Sequence, residues 1–183
     1  MLSALLAIWT KVDLALRLTA TVPTLTFAAA LDDASAAVDA ATPAISADLL
    51  VSVAFIESRF DPTATSRVEG DRRRTGPYKS RLAPAGLKGS LYCGELQTYA
   101  SNWADCLAMR DRAVGYAVAV IELTHWLHDR RVRGDVARAL AGHGCGNTGV
   151  TTGRCHAYPS RVLAVRALLA RPRVHRAPAR RVT

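Results

Sequence analysis

Apolar residues in this chain recur at helical spacing in one segment after another, and nowhere do they alternate over a useful length. That periodicity limits the fold most, because each run can hide its stripe only by packing helix on helix; the class is all-α or mainly α. Residues 2–20, 29–41, 46–60, 111–130, 135–143 and 159–171 read as helices, with shorter ones at 94–101 and 103–110. Gly144, Gly146 and Gly153 read as a loop. A chain of 183 residues suits a domain with a real core. It divides into an N-terminal helical segment at 1–45, a main domain at 46–170 and a basic tail at 171–183.

One carboxylate stands out against this background. Glu57 sits in Leu49-Leu50-Val51-Ser52-Val53-Ala54-Phe55-Ile56-Glu57-Ser58, an apolar run with Ser46 as its N-cap and Asp48 at its positive start. Leu49, Val53, Ile56 and Phe60 mark one buried stripe, and Leu50, Ala54 and Glu57 line up beside it. Pro62 disfavours helix at Asp61, which places Glu57 in the last turn. Apolar surroundings and the negative helix end both disfavour an anion there, the property a general acid needs. The plain alternative is a helix glutamate salt-bridged to an arginine.

Cys93, Cys106, Cys145 and Cys155 fall as two local pairs. Pairing by proximity gives Cys93–Cys106 and Cys145–Cys155, each closing a short loop for about 2–3 kcal/mol. Two disulfides imply an oxidising compartment: periplasm, exterior or virion. Zinc is the rival use of these sulfurs with His143 and His156, or of His125 and His128, but no His-Glu-x-x-His or Cys-x-x-Cys spacing is present. We therefore expect no metal and no cofactor. The net charge is +9, and the cations concentrate at 63–92 and in the tail. Such a balance favours polyanionic partners without choosing among nucleic acid, an anionic membrane and cell wall. Nucleic acid is not expected, since neither a helix-turn-helix nor aromatic interleaving is seen. No stretch reads as a transmembrane anchor; Lys11, Asp13, Arg17 and Pro23 interrupt the apolar start. A signal peptide ending near Ala28-Ala29-Ala30 lacks a basic leader, and without one export needs lysis or carriage on a phage particle.

Onward from Glu57 the features fall in a familiar order. Glu57-Ser58 leads to Asp61-Pro62, then Ala64 and Ser66, then Gly94-Glu95-Leu96-Gln97. Ala139-Leu140-Ala141 with Gly146 follows, and Tyr158 with Val162 closes the set. Over residues 46–166 this resembles the lysozyme-like soluble lytic transglycosylases, with their Glu-Ser, Ala-x-Ser, Gly-Leu-Met-Gln, Ala-x-x-Tyr-Asn-x-Gly and Tyr-x-x-x-Val segments. His143-Gly144 stands where the family has Tyr-Asn, and Glu95 is an added charge in its segment.

The resemblance implies a lysozyme-like helical domain that cleaves bacterial peptidoglycan between N-acetylmuramic acid and N-acetylglucosamine. It implies Glu57 as acid and then base, with the sugar's own acetamido or 6-hydroxyl group doing the work of a second carboxylate. Ser58 would orient Glu57, Gln97 would bind an N-acetyl sugar, and Tyr158 would donate a phenol hydrogen bond. Glu95 and His143 are further substrate-contact candidates. Hydrolysis by water instead would need a second carboxylate, from Asp61, Glu69, Asp71 or Glu95. A module of the same fold that binds walls without turnover is the remaining alternative.

Overall fold

The computed structural model describes residues 2–67, 91–100, 102–153 and 155–170. Most of the basic stretch at 63–92, with Glu69 and Asp71, lies outside the described residues, as does the tail. Seven helices are seen among the described residues: α1 Leu2–Thr21, α2 Phe27–Ala40, α3 Ala47–Ser58, α4 Trp103–Ala108, α5 Arg112–His128, α6 Val136–Thr152 and α7 Ala157–Leu169. The protein is mainly helical, as its periodicity requires. None of the described helices is long and apolar enough to cross a membrane.

α3 is the hub. It packs against α2, α5 and α7, while α1 lies on α2 and α5 lies on α6. Every residue from Leu49 to Ala54 is buried, so this helix is apolar on all sides rather than along one stripe. Leu14, Leu18, Tyr116, Leu123, Leu140 and Val162 close around it. Burying each such leucine or valine contributes about 1.5–3 kcal/mol. Ser46 caps α3 through its hydroxyl and the Leu49 amide. The helix closes without glycine: Arg59 and Phe60 take left-handed φ values of 59° and 65°. Their amides return to Phe55 and Ala54 carbonyls, and Arg59 lies 4.2 Å over the Phe55 ring. Glu57 occupies the last turn, where the hub helix first emerges from the core.

Two readings of the sequence are corrected. Residues 94–100, the described part of the segment 94–101, are not a helix. They form a four-residue turn and a strand of a small antiparallel sheet, β1 Thr65–Arg67, β2 Leu91–Cys93 and β3 Thr98–Ala100, in the order β1-β2-β3. Register pairs Thr65 with Cys93 and Cys93 with Thr98. Strands of three residues carry too little alternation to be read. The second correction is the loop at Gly144–Gly153, where α6 instead continues to Thr152 with a kink at Gly146 (φ 59°, ψ −154°). Both disulfides are present. Cys93–Cys106 (Cα–Cα 5.3 Å) ties the sheet to α4, and Cys145–Cys155 (6.3 Å) ties α6 to the start of α7. Neither sulfur pair is then free as thiolate.

Candidate functional site

The site is assembled at the emerging end of α3 from four separate elements. The first is the turn Gly94-Glu95-Leu96-Gln97 between β2 and β3. Gly94 has φ 74°, and a Cβ there would lie 2.5 Å from the Met109 carbonyl oxygen, so only glycine fits. Gln97 holds φ at 48°, a strained value for a residue with a side chain. Of the four non-glycine residues with positive φ among the described residues, Arg59, Phe60 and Gln97 border this site. Such strain is kept only where the surroundings enforce it.

Three side-chain hydrogen bonds hold the turn. Ser58 Oγ donates to the Glu95 carbonyl at 2.8 Å and accepts from the Asp61 amide at 3.1 Å. Its hydroxyl is thus engaged with main chain and straps α3 to the turn. Gln97 Nε2 donates to the Gly94 carbonyl at 2.9 Å, which fixes its buried amide. His143 Nε2 donates to the Leu96 carbonyl at 3.0 Å from α6.

Around Glu57 the turn, α5, α6 and α7 supply the polar groups. Glu57 is half-buried, so the desolvation suggested by its apolar run is partial. Among the described residues no cation pairs with it. Tyr158, from the first turn of α7, is 9 % exposed. Burial pushes its phenol far up, and the charge of Glu57 and a polar contact with it push further. The hydroxyl therefore stays a proton donor beside Glu57. Its geometry falls short of a full hydrogen bond, and Tyr158 Oη is buried without a partner among the described residues. Gly144 makes room for the ring; a Cβ there would lie 2.6 Å from Tyr158 Cδ1.

His143 is buried behind these two, its ring 6.4 Å from that of Tyr158. Nδ1 lies 3.1 Å from Glu122 Oε1. Burial opposes the imidazolium, but the charge and hydrogen bond of Glu122, then the charge of Glu57 and the Leu96 carbonyl, raise His143 above its ordinary value. Burial likewise raises Glu122, yet His143, the Tyr99 amide and Trp126 overcome it and hold Glu122 below the usual carboxylate range. Glu122 was not singled out in the sequence. The same signal as at Glu57, an isolated carboxylate in an apolar helical run, was there to find it.

Glu95 has a different setting. Its side chain is buried with Asp33, and Arg112 Nε lies 2.9 Å from Glu95 Oε1 and 3.2 Å from Asp33 Oδ1. Tyr116 Oη donates to Asp33 at 3.2 Å. Burial, then Asp33, pushes Glu95 up to about 9 against the pull of Arg112. Glu95 is thus shut into the core with its proton held more tightly than in an ordinary carboxyl, and only its main chain joins the site. Asp61 is exposed and accepts from the amide and hydroxyl of Thr63. Elsewhere a cavity of about 320 Å³ opens between α6 and α7, lined by Ala141, Val150, His156 and Leu163 among others. None of the polar groups around Glu57 lines it.

A comparison with known protein families, curated proteins and solved structures gives no match for this chain. The chemistry of the site therefore has to carry the functional argument.

The arrangement joins a carboxylate and a buried phenol, the one without a cation and the other without a full hydrogen bond among the described residues, with a fixed carboxamide on the neighbouring turn. A lone carboxyl group at the edge of solvent can give a proton to a leaving oxygen and take one back. Tyr158 Oη and Gln97 can bind acceptors and donors of a neutral polar ligand such as an N-acetyl sugar. No cluster of residues suited to hold a metal ion is found among the described residues.

Proposed function

We propose that this protein cleaves the glycosidic bonds of bacterial peptidoglycan, with Glu57 as its acid and then its base. The observation that carries the reading is the state of Glu57: half-buried, without a cationic partner among the described residues, and beside the buried, unsatisfied hydroxyl of Tyr158. The resemblance to soluble lytic transglycosylases supports the same assignment, because its matching segments are those that meet here. Ser58 comes from α3, Gln97 from the turn and Tyr158 from α7, while His143 from α6 stands where the family's pattern is broken.

The lytic, intramolecular outcome is favoured over hydrolysis. A hydrolase needs a second carboxylate flanking the bond. Of the candidates, Glu95 is shut in with Asp33 and Arg112 and Asp61 is engaged by Thr63, while Glu69 and Asp71 lie outside the described residues; Glu122 is paired to His143. The sugar's own acetamido or hydroxyl group would then take that part. The net charge of +9 adds long-range attraction to an anionic wall, and the disulfides suit an oxidising, extracytoplasmic setting. Mass spectrometry of products from purified sacculi tests the proposal. An anhydro end, lighter than a reducing end by one water, is expected; reducing ends alone would assign a hydrolase, and no soluble product would end the enzymatic reading.

A further inference from the structure

His143 stands where the resembling family carries a different pair of residues, and its surroundings define its state. A neutral imidazole has one N–H, yet both ring nitrogens here face acceptors: Glu122 Oε1 at 3.1 Å and the Leu96 carbonyl at 3.0 Å. A carbonyl cannot donate. Glu122 also accepts from the Tyr99 amide at 3.3 Å, and this bond, with Trp126 and His143 itself, holds it below the usual carboxylate range, which favours the acceptor role toward Nδ1. The groups facing the ring are Glu122 from α5, Glu57 from α3, Tyr158 from α7 and the Leu96 carbonyl from the turn.

We propose that His143 is a positioning residue: donating from both ring nitrogens as an imidazolium, it bolts the Gly94–Gln97 turn to α5 and so holds the turn that carries Gln97 at the end of α3. Loss of the proton removes one of the two bolts. Either the Leu96 carbonyl is released, and the strained turn with it, or the half-buried Glu122 loses the cation paired with its charge. Sugar binding should therefore weaken as pH rises through the titration of His143, above 6.5. The activity arm of this inference rests on the proposed wall-cleaving reading; the structural arm does not.

The test uses the full chain, wild type, His143→Gln and Glu122→Gln, with three readouts. Nitrogen-15 NMR at pH 6 should show protons on both ring nitrogens of His143 in the wild type. Amide exchange at residues 94–97 should quicken about tenfold in His143→Gln, the loss of one good hydrogen bond. On purified peptidoglycan, His143→Gln should raise KM about tenfold on the same basis, leave kcat within about threefold, and lose the alkaline limb of the wild-type pH profile. Glu122→Gln should move that limb to lower pH, which keeps the test open if His143→Gln folds poorly. A bare ring nitrogen at pH 6, unchanged exchange at the turn, or an alkaline limb that stays put in both variants would overturn the proposal. Quickened exchange in a protein that leaves walls intact would retire the enzymatic reading and retain the clamp.

Discussion

Replacing Ser58 by alanine tests how the site is held together. Its hydroxyl donates to the Glu95 carbonyl at 2.8 Å, accepts from the Asp61 amide at 3.1 Å, and lies 3.3 Å from the Ala54 carbonyl. A made hydrogen bond contributes about 1 kcal/mol net, and an acceptor left buried without a partner costs about 1–3 kcal/mol. Asp61 is exposed, so its amide regains water at little cost. Alanine's higher helix propensity returns a few tenths of a kcal/mol. The balance is a loss of about 2 kcal/mol, or about 4–8 °C in Tm for a chain of this size. Urea unfolding followed by far-UV circular dichroism, with both disulfides intact, should show a lower midpoint at unchanged m. Because the hydroxyl serves the turn and not the Glu57 carboxylate, kcat should fall far less than in Glu57→Gln. A stability change below about 0.5 kcal/mol would refute the strap. So would a kcat collapse at full stability.

Glu95 makes stability decline as pH rises. Its folded pKa of about 9 lies above the unfolded value of 4.5, so the native state keeps a proton that the unfolded chain gives up, and stability falls as pH rises between them. Glu95→Gln, which keeps a donor toward Asp33, should flatten that decline; equal slopes in pH-dependent urea titrations would speak against it. Gly144→Ala places a methyl group where the Tyr158 ring lies, at an overpacking cost of about 1–3 kcal/mol, and should displace the phenol from Glu57. Lower activity together with a changed tyrosine environment in near-UV dichroism is the expected result. Retention of both would mean that the ring has room to yield.

What could be read from the residues was local. The N-cap at Ser46, the last-turn position of Glu57 and both disulfides follow from neighbours a few positions apart, and each is present. The turn at 94–97 was hidden because its conformation depends on contacts across the chain: the Met109 backbone against Gly94, and His143 and Ser58 on its carbonyls. Gly144 and Gly146 look like loop residues in sequence. Gly144 instead lies in α6 and admits the ring of Tyr158, and Gly146 bends the helix. The Asp33–Glu95–Arg112–Tyr116 cluster could not be seen either, since Asp33 lies 79 and 83 positions from its donors Arg112 and Tyr116. Glu95 inside a cleft-like motif suggested contact with substrate; burial with Asp33 turns it into a core acid.

The central claim is that a single carboxylate does the chemistry. Its most direct test is the initial rate of soluble muropeptide release from purified sacculi by wild type and Glu57→Gln, at matched concentration of protein shown to be folded by circular dichroism. Loss of a general acid costs about 10²–10⁴-fold, and the account predicts a fall of at least about 100-fold with Tm nearly unchanged. Release by Glu57→Gln at the wild-type rate would contradict it.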